Sequence, residues 1–212
     1  MGSHIVWDWN GTLFHDIDAV VTATNASLAA LGFPAVTVER YRALFCQPIP
    51  RFYERLVGRA LDEAEWSRID LAYFDSYHRQ IAACGLAEGA EELLGEWHAR
   101  GRSQSLLSLY PHKDLVPLVD QLGVARWFRR VDGAPAAGPT LKAEHLVRHL
   151  DALALDPADV VLIGDSLDDA AAVDRVGARC VLYSGGFHDA AALAGAGVPV
   201  VDSLAAAVAL AE

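Results

Sequence analysis

Apolar and polar positions follow two different rhythms along this chain, and the change of rhythm divides it. Ile5-Val6-Trp7 is a short apolar run that stops at Asp8, ahead of the turn dipeptide Asn10-Gly11, and predicts a buried strand. From there to Gly85 the period is helical. Ile17, Val20, Val21, Leu28 and Leu31 share one face, on which Thr24 also falls, and Gly32 is placed to end the helix. A second helix is expected after Thr37, and a third after Pro48 with Pro50 at its first position. Asp62 with Glu65 forms a capping signal for a fourth, whose apolar face carries Trp66, Ile69, Tyr73 and Tyr77. No strand is expected between Leu13 and Gly85.

After Gly85 helices and strands alternate. Strands are predicted near Gln104–Ser108, Arg130–Val131, Val160–Ile163, Cys180–Tyr183 and Val198–Val201, with helices between them and at the end. Such alternation predicts an α/β fold, a Rossmann-like parallel sheet with helices on both faces. Ligands of such sheets sit beyond the carboxyl ends of the strands, a rule that selects Asp8, Ser108 and Asp165.

Composition narrows the function classes. The hydrophobic fraction of 53% rests on 37 alanines, and the mean hydropathy is +0.21. The longest uncharged stretch near the end, Ala190–Val201, contains Pro199 and is too short for the ~20 residues a bilayer span needs. The start, MGSHIVWDW, predicts neither a secretory signal nor a myristoylation site. A net charge of −11 without a basic cluster disfavours nucleic acid as a partner. Cys46, Cys84 and Cys180, odd in number and widely spaced, read as buried thiols of a cytoplasmic protein. Of 17 basic residues only Lys113 and Lys142 are lysines, so a lysine marks a place for a compact ammonium.

Candidate chemistry lies in four segments. Asp8-Trp9-Asn10-Gly11-Thr12 puts a carboxylate, a tight turn and a hydroxyl at a strand end; the same residues would also serve a plain turn. Gly164-Asp165-Ser166-Leu167-Asp168-Asp169 gathers three carboxylates where a buried strand meets a helix. The cluster is costly without a cation, and its oxygen donors suit Mg²⁺. Asp165 and Asp169, four apart, are expected on one helical face, with Asp168 in solvent. Ser108 closes an apolar strand, and Lys142 opens a helix after the loop GAPAAGPT. A cation and a metal facing a carboxylate nucleophile is what phosphoryl transfer requires, because its transition state spreads negative charge over the non-bridging oxygens.

These four segments, in this order, resemble the haloacid dehalogenase superfamily of phosphohydrolases, in the branch similar to phosphoglycolate phosphatases with a helical cap after the first motif. The resemblance spans nearly the whole chain. The 96 positions from Thr12 to Ser108 exceed one crossover, and the helical stretch fills the excess. It implies a core of residues 1–15 and 86–212, a cap of 16–85, and Mg²⁺-dependent hydrolysis of a small phosphorylated metabolite. By the resemblance Asp8 is the nucleophile, forming an aspartyl-phosphate, and Asn10, Thr12, Ser108 and Lys142 complete the catalytic set. Asp8, the main-chain oxygen of Asn10, Asp165 and Asp169 form the metal site, with Asp169 orienting Lys142 or a metal-bound water. Ser108, Leu109 and Lys142 contact the substrate's phosphoryl end, and Gln47 and Arg51 reach it from the cap loop Phe45–Arg51.

One position departs from the family pattern. Active members usually carry a second Asp where this chain has Asn10, and an amide has no proton to exchange. Losing general acid–base help costs roughly 10²–10⁴ in rate. Three explanations stand open: a substrate with a good leaving group, proton transfer by another group such as His15 or Asp16, or a phospholigand-binding protein with little turnover.

Overall fold

The computed structural model describes residues 3–135 and 141–212; the stretch 136–140 ahead of Lys142, most of the GAPAAGPT loop, lies outside the described residues. The chain runs β1 (His4–Trp7), β2 (Phe14–His15), α1 (Ile17–Ala30), α2 (Val38–Leu44), α3 (Ile49–Val57), α4 (Glu63–Gln80), β3 (Gly85–Leu86) and α5 (Ala90–Ala99). It continues β4 (Gln104–Pro111), α6 (His112–Gln121), β5 (Val131–Ala134), α7 (Lys142–Leu153), β6 (Val160–Gly164), α8 (Leu167–Val176), β7 (Arg179–Tyr183), α9 (Ala190–Leu193), β8 (Val200–Val201) and α10 (Leu204–Ala211).

Six strands form one parallel sheet in the order β5-β4-β1-β6-β7-β8. Side chains alternate across it as the pleat requires. Ile5, Trp7, Leu106, Val161, Ile163 and Val181 face one layer, under α5, α6 and α10. Val6, Leu107, Val160, Leu162 and Leu182 face the other, under α7 and α8. Both faces are covered, which is why these strands read as unbroken apolar runs. β1 lies centrally between β4 and β6, so Asp8 and Asp165, each just past its strand's end, are neighbours of Ser108, which lies inside β4 because that strand runs on to Pro111, beyond the end expected at Ser108.

Helices α1–α4 have their own apolar core, in which Val20, Tyr41, Phe52, Ile69 and Tyr77 are buried. α1 and α4 pack along each other. Asp62 caps α4 through the expected reciprocal bonds with Glu65. α3 starts one residue earlier than expected, with Ile49 first and Pro50 second, a position that also tolerates the missing N–H.

Two strands between Leu13 and Leu86 were not foreseen. β2 and β3 pair antiparallel, Phe14 with Leu86 and His15 with Gly85, where the chain leaves the sheet layer and returns. Two residues are too few to show alternation, and the pairing partners are 70 and 72 positions apart. Cys180 is buried as expected, but Cys46 and Cys84 are only half-buried; all three are free thiols. No helix among the described residues is long and apolar enough to cross a membrane.

Candidate active site

Asp8 follows the last residue of β1, and its N–H donates to the Ile163 carbonyl at 2.8 Å, so the strand pairing itself fixes where the carboxylate stands. Lys142, the first residue of α7, donates from Nζ to Asp8 Oδ1 at 2.6 Å and also pairs with Asp169. Asp8, Ser108, Lys142, Asp165 and Asp169 are all buried, so this is a desolvated charge cluster.

Asp165 and Asp169 converge for a reason other than a shared helical face. Asp165 is the residue after β6 and precedes α8; Asp169 lies in the helix's first turn. Asp169 Oδ2 accepts from Ser166 N at 3.0 Å and Ser166 Oγ at 2.7 Å, while Ser166 Oγ accepts from Asp169 N, a capping box with Asp in the acidic position. Asp168 is not in solvent: it is half-buried and lines the cavity above the cluster. Burial and Asp169 push its carboxyl up.

Asp165 is held by donors that the sequence reading did not connect to it. Phe187 N donates to its Oδ2 at 2.6 Å and Thr12 Oγ1 to its Oδ1 at 3.2 Å. Thr12 therefore lies behind the carboxylates rather than on the cavity wall. Gly11, at φ +74°, passes so close that a Cβ there would lie 2.5 Å from Asp165 Oδ2.

One carboxylate oxygen from each of Asp8, Asp165 and Asp169 lies within 4.8 Å of the others. Burial raises the Asp8 carboxyl to about 6, against the opposing pull of Lys142. Burial raises Asp165 well above the carboxylate range, and Asp8 and Asp169 add to the effect. Burial alone would lower Lys142, but Asp169 and Asp8 outweigh it and carry the ammonium well above its ordinary value. When all three are ionised, three carboxylates against one ammonium leave two negative charges unneutralised, and every donor is a hard oxygen. The set fits a divalent cation held by Asp8 and Asp165, with Asp169 beside them.

Asn10 stands at the mouth of this cluster. Its Nδ2 donates to Asp16 Oδ2 at 2.8 Å and to the Tyr77 hydroxyl at 3.1 Å. Tyr77 in turn donates to Asp16 Oδ2 at 2.8 Å, and Gly11 N donates to Asp16 Oδ1 at 3.1 Å. Asp16 is buried, which raises its carboxyl, though the bonds from Asn10 and Tyr77 oppose the rise. His15 is exposed on β2 and takes no part.

A cavity of about 390 Å³ opens over the cluster. Asp8, Asn10, Ser108, Leu109, Lys142 and Asp165 form its floor, and Gln47 reaches it from the segment joining α2 and α3. Arg51 is exposed on α3 and is not among the lining residues. The walls include aromatic residues that the helical periodicity had marked only as core: Tyr73 and Tyr77 from α4, with Tyr110 and Phe187 from the sheet side.

A second polar array has the outline of a catalytic triad: Ser105 Oγ lies 2.8 Å from His149 Nε2, and His149 Nδ1 lies 2.7 Å from Asp132. Ser105 and His149 have no exposed surface, so no reactant reaches them, and the array serves the interior.

The chain is similar to several known proteins. The family described as haloacid dehalogenase-like hydrolase matches residues 3–177. A phosphoglycolate phosphatase of Pseudomonas fluorescens is 26% identical over 196 residues, covering 87% of this chain and 70% of its own. One from Chromobacterium violaceum is also 26% identical, over 89% of this chain and 88% of its own. A haloacid dehalogenase-like hydrolase from Streptococcus pneumoniae superimposes with a TM-score of 0.85 at 18% identity, covering 100% of this chain and 99% of that one.

Proposed function

The chain belongs to the haloacid dehalogenase-like hydrolases, and from that premise we propose that it is a Mg²⁺-dependent phosphatase cleaving a small phosphorylated metabolite through an aspartyl-phosphate. The observation that carries this reading is Lys142, which bridges Asp8 and Asp169 beside Asp165 beneath an open cavity.

Lys142 holds one Asp8 oxygen and leaves the other to attack phosphorus. The bond from phosphorus to the ester oxygen then breaks, and the leaving alkoxide takes a proton from water. Water attacks the resulting acyl phosphate, releasing phosphate and restoring the Asp8 carboxylate. Lys142 and the Ser108 hydroxyl, which accepts from Tyr110 N at 3.0 Å, receive the phosphoryl oxygens. A bound Mg²⁺ would lie against Asp8, Asp165 and the main-chain oxygen of Asn10, and would neutralise charge on the phosphoryl group. Asp169 positions Lys142.

The unfilled role is the proton on the leaving oxygen. Asn10 cannot supply it, and its amide hydrogens are turned toward Asp16 and Tyr77. Turnover without that proton favours substrates whose leaving group departs unaided. Phosphate release from a panel of metabolites, with Mg²⁺ and with EDTA, tests the proposal. Metal-dependent release supports it, and tight binding of phosphate esters with no release from any of them would replace it with a phospholigand-binding protein.

A further inference from the structure

The cavity that would receive the leaving group is walled by aromatic rings and, among the described residues, lacks a second cation. Phe45, Tyr73, Phe74 and Tyr77 come from the helical segment, and Tyr110 and Phe187 from the sheet side. They form continuous surfaces: Tyr73 stacks on Tyr77 at 5.8 Å between centroids, Tyr77 meets Tyr110 edge-on at 6.2 Å, and Phe45 meets Phe187 at 5.6 Å. Among the described lining residues the one cation is Lys142, already shared by Asp8 and Asp169. Four carboxylates, Asp8, Asp16, Asp165 and Asp168, border the same space. Gln47 is the one amide that the helical segment contributes.

We infer that the enzyme's substrate is a phosphate monoester whose leaving group carries no negative charge and presents an apolar, ring-sized face to Tyr73, Tyr77, Phe45 and Phe187. This rests on the phosphatase reading and runs against a substrate such as 2-phosphoglycolate. A carboxylate two atoms from the ester oxygen would enter a space bordered by like charges, with no free cation to pair it, and buried unpaired charge is strongly disfavoured. The volume is in the range that encloses an organic ring and exceeds what a two-carbon acid fills.

Benzyl phosphate and 2-phosphoglycolate both lose a primary alkoxide, so comparing them separates recognition from leaving-group acidity. We expect kcat/KM for benzyl phosphate to exceed that for 2-phosphoglycolate by about 100-fold. In Gln47→Arg, which supplies a cation at the cavity rim, the ratio should move toward 2-phosphoglycolate by about 10-fold or more. A ratio at or below one in the unmodified protein overturns the inference while leaving the phosphatase reading intact. If no ester is turned over, the phosphatase reading fails, and calorimetry with 2-phenylethylphosphonate and 3-phosphonopropionate still decides this one. Tighter binding of the phenyl compound supports it, and tighter binding of the carboxylate overturns it.

Discussion

Asn10 gives its side-chain N–H to Asp16 Oδ2 at 2.8 Å, so the residue standing two positions after the nucleophile is tied to the start of α1 rather than left free over the substrate. The contact has a chemical consequence. A carboxylate in place of the amide would face a buried carboxylate at hydrogen-bonding distance, and two such groups cannot both ionise. The pair would keep a proton at neutral pH, which is the general acid this site lacks.

Asn10→Asp is therefore expected to raise kcat on an alkyl ester such as benzyl phosphate by up to about 10²-fold, and much less on p-nitrophenyl phosphate. Steady-state kinetics on the two substrates check this. A variant slowed on benzyl phosphate would show that another group, with Asp16 nearest, already supplies the proton.

Metal affinity should depend on how closely the backbone packs against Asp165. Gly11→Ala places a Cβ 2.5 Å from Asp165 Oδ2 and forces a side chain onto a residue at φ +74°. Loss of stability of about 1–3 kcal/mol is expected from the backbone conformation, together with at least tenfold weaker Mg²⁺ binding by calorimetry. Asp165→Asn should weaken Mg²⁺ without the backbone penalty. Unchanged binding in both would place the cation elsewhere.

The interior array beneath the sheet predicts a pH dependence of stability. His4, bonded to Ser103 and Ser105, has its imidazole pushed down to about 4, by burial first and then by the neighbouring charges of Arg129 and His149. The unfolded chain takes up this proton near pH 6.5 and the folded chain only near 4. Stability is thus fully present above pH 6.5 and falls as the pH drops toward 4, by about 3 kcal/mol in all. Urea midpoints from pH 7.5 to 4, compared with those of His4→Gln, measure the slope; identical slopes would remove His4 as its source.

Much of this site was legible because the chemistry-bearing residues sit at ends of elements, where an apolar run stops. Asp8 and Asp165 stand just past strand ends for that reason and Lys142 at a helix start, whereas Ser108 lies inside β4, where its regular pairing with β5 breaks after Leu107. What escaped was whatever depends on contacts distant in sequence. Tyr77 lies in a helical apolar stripe, and nothing in that stripe distinguishes a ring packed in the core from one whose hydroxyl reaches Asp16, 61 positions away. Phe187 serves Asp165 through its main-chain N–H, which leaves no signature in the side-chain sequence. Arg51 fails differently: the segment before it does border the cavity, but α3 turns its side chain outward. Helical spacing alone places Asp168 in solvent, but it lines a cavity that the helical segment roofs and is half-buried there.

The central claim is that Asp8 attacks phosphorus. Initial rates of phosphate release from p-nitrophenyl phosphate at saturating Mg²⁺, for the unmodified protein and for Asp8→Asn, test it most directly, because this ester needs no general acid and so isolates the nucleophile. The account predicts metal-dependent turnover in the first and a loss of at least about 10³-fold in the second, which keeps nearly the same shape but has no attacking oxyanion. Turnover in Asp8→Asn within a few-fold of the unmodified protein, with both folded by circular dichroism, would contradict it.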